Sequence, residues 1–583
     1  MLCAAAVPYV PGLPGQFVYD DHRLIVENDG LRRPFDLRRA ILRDYYASDL
    51  DRKGLGYYRP LAILSNELDS RRGGGAPRAF HVTNIALHAA SSLLVLVLGL
   101  RLFHGAVPWA CGAAVLFAVH PAHAESVAFI SGRVDPLATL WALASIVLHL
   151  HANRAARPWP WRAAAAVAWL GALLCKEMAV TVPVLTLAVE CAEEGLPSRR
   201  TLRPRIARYV AYAPTLAAYL GMRFAALGAH LPEGAAEASV SLFRPIVVAG
   251  SHLVWTFLPP PGLHLEPPPF EGALAAGATL VVVAAAAGVA VAWIRGLRLQ
   301  AALLAWCLVS LLPVVQLRPL ETVLSERFLY LPTVGAVLLT VSLAQRTARS
   351  PARRGLVVGL VVLGATYTAI LVPRAWMWRD EVRLWSAKAR EEPASIKAHL
   401  NLAEAFARRG WSDAARVECE RAVALGFDET AARGHLAGLL AEGTLEERVG
   451  TVREALSKAP GDGALWNNLG FLLLQSGRGR EAVAAFTTAV SITPARGEAW
   501  LGLARARASQ GDGFGAREAA RHASLLNPSL GLARLIWAVG ELGEGRPCEA
   551  LRLTAGLELE EPEEVAWLGR LRTAAGEQCR EQP

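Results

Sequence analysis

At 583 residues the chain is too long for one compact core, and 53% hydrophobic residues is high for a wholly soluble protein. The formal net charge of +9 would suit a nucleic-acid partner, but the arginines stand beside apolar runs, where membrane proteins keep them, and that pattern argues against one. The eight cysteines form no C-x-x-C pair, which argues against a zinc ribbon or a dithiol site.

Up to about Val372 the apolar residues come in runs separated by short arginine-rich loops. A bilayer core of about 30 Å needs roughly 20 apolar residues per helix. Seven runs approach that length: Val82–Phe103, Asp135–Ala152, Ile206–Leu227, Gly272–Ile294, Leu299–Leu317, Phe328–Ala344 and Gly355–Val372. Ala106–Val119, Trp161–Cys175 and Ala179–Cys191 are shorter, giving ten predicted spans. Pro245–Leu258 runs into Pro259, Pro260 and Pro261 and is predicted to be re-entrant or interfacial.

With this alternation, fifteen arginines fall in one set of loops and five basic residues, Arg133, Lys176, Arg244, Arg318 and Arg327, in the other. The positive-inside rule makes the first set cytoplasmic. The long loop 16–80 and the C-terminal region are then expected outside. An outside loop at Gln16 calls for a preceding anchor. Met1–Gly15 is interrupted by Pro8, Pro11 and Pro14, so the expectation is either a vestigial first helix or, the favoured alternative, a start upstream of Met1.

Beyond the apolar region, Pro460, Pro494, Pro528 and Pro562 recur every 34 residues, the length of the tetratricopeptide (TPR) repeat. The best unit carries Trp466, Leu469, Gly470, Leu473, Ala482, Phe486, Ala489 and Pro494. Small residues at Gly470 and Ala482 suit a close crossing of paired helices, and Phe486 suits the gap to the next pair. The expected architecture is all-α: a polytopic membrane domain over 1–375 with an extracytoplasmic loop 16–80, a connector 376–392, a TPR solenoid of about five hairpins over 393–562, and a capping tail 563–583. Cys548 and Cys579 lie together in the last segment and can pair if it faces an oxidising compartment.

Polar groups crowd the outside ends of the spans. They include Asp20, Asp21 and His22; Tyr58 and Arg59; Asn84; His120, His123 and Glu125; Arg133 and Asp135; Lys176 and Glu177; and Glu326 and Arg327. Ionisable groups at membrane depth are costly, so such a crowd is a candidate site. The plainer reading is headgroup snorkelling with pairs such as Arg133–Asp135, and a lone His88 or His149 reads as a core histidine. His120, His123 and Glu125 have metal-ligand chemistry. Their i, i+3, i+5 spacing does not put all three on one helical face, so neither metal nor cofactor is expected. Asp20 and Asp21 are the sharpest pair: adjacent carboxylates repel, which raises one pKa towards that of a general base. A base beside a hydrophobic bundle suits a lipid-linked substrate whose phosphate meets arginine and lysine at the rim.

In Tyr19-Asp20-Asp21-His22, Tyr58-Arg59-Pro60-Leu61, Phe80-His81-Val82-Thr83-Asn84, His120-Pro121-Ala122-His123-Ala124-Glu125, Gly132-Arg133-Val134-Asp135, Lys176-Glu177 and Glu326-Arg327-Phe328-Leu329-Tyr330-Leu331-Pro332, followed by TPR units, the chain resembles the transmembrane-and-TPR protein O-mannosyltransferase family. That resemblance implies a GT-C-like membrane bundle and an inverting transfer of a sugar, mannose or another hexose, from a polyprenyl-phosphate donor to protein hydroxyls. An acid at Asp20-Asp21 would take the acceptor proton, and basic residues near the membrane edge would stabilise the departing phosphate. The remaining site residues would bind substrate, and the TPR groove would bind the acceptor protein. The alanine- and arginine-rich composition points to a bacterial inner membrane. A non-catalytic membrane-anchored TPR scaffold and a ligase of preassembled glycans are the competing expectations.

Overall fold

A computed structural model describes all residues except 27, 29–30, 32–34, 48–55, 229–243, 261–271, 316–323, 348–351, 410, 428–444, 459, 528–529, 558, 560–561 and 582–583. Among the described residues every regular element is helical. The chain divides into two compact units, Met1–Pro393 and Ala394–Pro583.

The first unit begins with α1 (Leu2–Ala6) and a 3₁₀ turn to Gly12. Then follow α2 (Leu37–Ile41), α3 (Pro60–Gly73), α4 (Pro77–Leu102), α5 (Val107–Ala118), α6 (His123–Ala128) and α7 (Val134–Ala152). Next come α8 (Pro158–Leu173), α9 (Val182–Glu194), α10 (Arg199–Arg208), α11 (Tyr212–Leu227) and α12 (Arg244–Phe257). The unit closes with α13 (Gly272–Ile294), α14 (Arg298–Leu311), α15 (Pro332–Thr347), α16 (Ala352–Met377) and α17 (Glu381–Glu391). Proline at the first turn, where no intrahelical N–H is needed, starts α3, α4, α5, α8 and α9.

Among the described residues four helical stretches are long and apolar enough to cross a membrane: Pro77–Leu102, Ile130–Ala152, Gly272–Ile294 and Arg354–Met377. Ten spans were expected, seven near full length and three shorter. The other six regions instead hold helices of 12 to 16 residues, or about 18–24 Å of rise. The predicted span Ile206–Leu227 is not continuous. The chain breaks at Tyr209–Ala211, between the arginine-rich α10 and the apolar α11. The segment expected to be re-entrant forms α12, which meets α13 backbone to backbone: a Cβ on Gly250 would collide with the carbonyl of Ala278.

The loop 16–80 folds onto the helix ends. Leu24, Ile25, Leu31, Ala40, Tyr45, Ala62, Ile63 and Phe80 form a core with Ile130 and Val134. That core is what brings the N-terminal carboxylates to the mouth of the bundle.

The second unit stacks helical hairpins: α18 (Ile396–Arg408) with α19 (Ser412–Ala424), α21 (Gly463–Gln475) with α22 (Gly479–Ile492), α23 (Gly497–Ser509) with α24 (Gly513–Leu526), and α25 (Gly531–Gly543) with α26 (Pro547–Thr554). Between the first two pairs lies α20 (Leu445–Lys458), and α27 (Pro562–Glu581) ends the array. Phe486 lies between Gly470 of its own hairpin and Gly502 of the next; a Cβ on either glycine would strike its ring. Cys548 and Cys579 form a disulfide that ties α26 to α27.

Candidate functional site

A cavity of about 300 Å³ opens where the loop 16–80 meets the helix ends. Its wall carries Asp20, four cations (Arg23, Arg59, Lys176, Arg327), Glu177, and the aromatic rings of Tyr19, Tyr45, Tyr46, Tyr57 and Phe328. Five of the sequence-predicted residues therefore meet here: Asp20, Arg59, Lys176, Glu177 and Arg327.

Asp20 owes its place to its neighbours. Asp21 is fully buried behind the wall, where one carboxylate oxygen accepts from Val18 N at 3.0 Å and the other from Ser131 N at 2.9 Å and Ser131 Oγ at 2.5 Å. Burial pushes the Asp21 carboxyl up to about 7. The three hydrogen bonds pull against that rise, and the charge of Asp20 adds the smallest contribution, so desolvation rather than mutual repulsion dominates. On the other flank Tyr19 adopts φ +53°, unusual for a bulky residue. Its N–H donates to Glu381 Oε1 at 2.9 Å and its ring packs edge-on to Trp385, both on α17. His22 Nε2 lies 3.4 Å from the same carboxylate. Asp380 caps α17 by accepting from Arg383 N at 3.0 Å. The turn bearing Asp20 is thus clamped between Ser131 and α17.

The cations are held by partners of their own. Arg59 donates to Glu177 at 3.1 Å and stacks on Tyr57, 4.6 Å from the ring centre. Burial would lower its pKa, but Glu177 and the nearby tyrosines hold it above the ordinary value. Lys176 Nζ donates to Asp135 at 2.5 Å and sits 5.0 Å from the Phe328 ring centre. Burial pulls its ammonium below the ordinary range against the Asp135 charge. Arg327 is positioned by Glu125, whose carboxylate accepts from Ser325 Oγ at 2.8 Å and from Arg327 N at 3.2 Å.

The remaining predicted residues stand outside the cavity wall. Asn84 donates to the carbonyls of Val127, Phe129 and Ile130 and fixes the turn before Ser131. Arg133 does not pair with Asp135: it is fully buried, bonded to Asp69 at 2.6 Å, Ser65 Oγ and the Phe80 carbonyl. Glu326 pairs with Arg374 at 2.8 Å. Tyr58 points away, against Tyr219, while its neighbour Tyr57 faces the cavity. His120 and His123 lie inside the bundle, both fully buried. His123 Nε2 meets Thr333 Oγ1 at 2.8 Å. Glu125 turns instead to Ser325 and Arg327, and among the described residues no group of three or more His, Cys, Asp or Glu could hold a metal.

Sequence reasoning missed Arg23, Tyr45, Tyr46, Tyr57, Ser131 and Glu381. Paired tyrosines at Tyr45-Tyr46 and Tyr57-Tyr58 in a basic loop were a usable signal for aromatic lining. Nothing local marks Ser131 or Glu381.

These features define a membrane protein with an acid- and cation-lined cavity at the helix ends, followed by a TPR-type solenoid. No family model matches the chain. It is 35% identical over 182 residues to Protein O-mannosyl-transferase Tmtc1 of Drosophila melanogaster, covering 31% of this chain and 21% of that protein. It is 38% identical over 185 residues to Protein O-mannosyl-transferase Tmtc2 of the same organism, covering 30% and 20%. Protein O-mannosyl-transferase F38B6.6 of Caenorhabditis elegans matches more broadly, at 24% over 429 residues, 70% of this chain and 60% of that one. The matches thus span from a fifth to 60% of these relatives' lengths. Among solved structures, pilF of Pseudomonas aeruginosa is similar over 32% of this chain and 90% of its own, at 19% identity and a TM-score of 0.26. The resemblance to the transmembrane-and-TPR protein O-mannosyltransferases read from the motifs is the one these curated relatives bear out.

Proposed function

We propose that the chain is a membrane glycosyltransferase that moves one sugar, mannose or another hexose, from a polyprenyl-phosphate donor to a protein hydroxyl on the extracytoplasmic side. The observation that carries this reading is the Asp20 carboxylate sharing a small cavity with Arg59, Lys176 and Arg327, while the second carboxylate there, Glu177, is bonded to Arg59. Asp20 takes the proton of the acceptor hydroxyl, whose oxygen attacks the anomeric carbon from the face opposite the phosphate. The bond from that carbon to the phosphate oxygen breaks with inversion, and the electron pair leaves with the polyprenyl phosphate. Arg59, Lys176 and Arg327 stabilise the charge gathered there. The tyrosine rings offer flat apolar faces to the sugar. The TPR array binds the acceptor, and the Cys548–Cys579 disulfide agrees with an oxidising compartment such as a bacterial periplasm. The same reading places the chain in a bacterial inner membrane.

The test is transfer of radiolabelled sugar from polyprenyl phosphate to envelope protein, in membranes of matched expression. General-base catalysis contributes typically about 10²–10⁴-fold, so Asp20→Asn should lower the rate by that order. Lys176→Ala and Arg59→Ala should raise the KM for the donor. Wild-type transfer by Asp20→Asn would return the scaffold reading to first place.

A further inference from the structure

The ten residues of α10 include Arg199, Arg200, Arg203, Arg205 and Arg208 and no acid. Ser198 and Thr201 start the helix with a reciprocal capping box. Its inner side is fastened to the protein. Arg205 is buried, donating to Gly195 O at 2.8 Å and Glu194 at 2.9 Å. Arg208 donates to Glu194 at 2.7 Å and to the buried Glu190 at 3.2 Å, and Glu190 also accepts from Tyr209 at 2.9 Å.

The outer side is built differently. At 100° per residue, Arg199, Leu202, Arg203 and Ile206 share an arc opposite Arg208, with Arg200 at its edge, and Val210 lies in the turn that follows the helix. Leu202 is 45% exposed, Ile206 57% and Val210 63%. Arg199, Arg200 and Arg203 are exposed and make no ion pair among the described residues. The neighbouring apolar helices also expose aliphatic and aromatic side chains: Val184 on α9, and Leu220 and Phe224 on α11. A basic face interleaved with bare aliphatic residues, on a helix whose chain neighbours α9 and α11 also expose apolar side chains, is poorly suited to bulk water.

We propose that the outer face of α10 lies in the bilayer surface as a docking site for anionic phospholipid headgroups. Leu202, Ile206 and Val210 enter the acyl boundary while Arg199, Arg200 and Arg203 bond the phosphates. The partner follows from charge complementarity, three exposed arginines on one arc with exposed aliphatic residues between them. This inference does not depend on the catalytic reading.

An arginine near an anionic membrane surface changes lipid affinity about fivefold, so three together change it on the order of 100-fold. Phosphatidylglycerol and phosphatidylcholine are titrated separately into the full-length chain in neutral detergent, with retained lipid counted by native mass spectrometry. The wild type should prefer phosphatidylglycerol. The triple variant Arg199→Gln/Arg200→Gln/Arg203→Gln should lose most of that preference, and the corresponding triple Lys variant should keep it. Arg346→Gln/Arg354→Gln, which removes charge elsewhere, should also keep it. Leu202→Ser/Ile206→Ser should weaken both lipids alike. The proposal is overturned if the triple Gln variant binds phosphatidylglycerol like the wild type. It is equally overturned if inorganic phosphate displaces the lipid fully at millimolar concentration, which marks a free-phosphate site. A change in oligomeric state in the triple variant, marking a contact between copies, would overturn it too.

Discussion

With Val18 N–H on one oxygen and the Ser131 donors on the other, Asp21 is committed to holding backbone, while Asp20 lines the cavity. Removing the Asp21 carboxylate orphans buried donors at about 1–3 kcal/mol each, so Asp21→Ala should lower the unfolding midpoint and admit protease near Tyr19. The raised pKa gives a second signature. The folded chain holds the Asp21 proton more tightly than the unfolded one does. The associated stability is complete below about pH 4 and is lost as pH rises through about 7. Unfolding followed by intrinsic fluorescence in detergent should therefore show the wild type losing stability between about pH 4 and 7 relative to Asp21→Asn. Parallel pH profiles for the two proteins would contradict this.

Two elements turn local contacts into site geometry. Helix α17 holds Tyr19 at positive φ through Glu381, at a backbone cost of order 1–3 kcal/mol. Glu381 is thus a positioning residue for Asp20. Glu381→Ala should lower kcat for sugar transfer about tenfold with little change in KM for the donor. Glu381→Gln, whose amide oxygen still accepts from Tyr19 N–H, should restore most of the rate. A loss in both variants alike would mean that the charge matters rather than the clamp. In the solenoid, Phe486 packs on Gly470 and Gly502 at once. Gly470→Leu should overpack the α21–α22 hairpin by about 1–3 kcal/mol. New proteolytic cuts should stay between Pro460 and Pro528, because a repeat array passes stability only to its neighbours. Adding Phe486→Ala should make the two effects non-additive, since the substitutions share one space.

At the scale of the whole molecule the testable property is sidedness. The arginine bias expects the loop 16–80 and the TPR array on one side, with α10 on the other. Reporter fusions after Arg200 and after Gly463 should then report opposite compartments, and two cytoplasmic signals would remove the site's proposed topology.

The sequence by itself determined what depends on near neighbours: apolar runs, the 34-residue proline spacing, and the small-residue and phenylalanine pattern of the hairpins. These are legible because helical periodicity and repeat packing involve residues a few turns apart. Which polar groups would converge was decided only by tertiary structure. Asp20, Arg59, Lys176 and Arg327 come from four distant segments, and their meeting depends on how the loop 16–80 packs on Ile130 and Val134. The same packing turned Arg133 inward to Asp69, sent Asp135 to Lys176, and split Ile206–Leu227 into a surface helix and an apolar one. A charged side chain can meet its requirement with any partner within reach, so only the packed chain fixes which partner it takes.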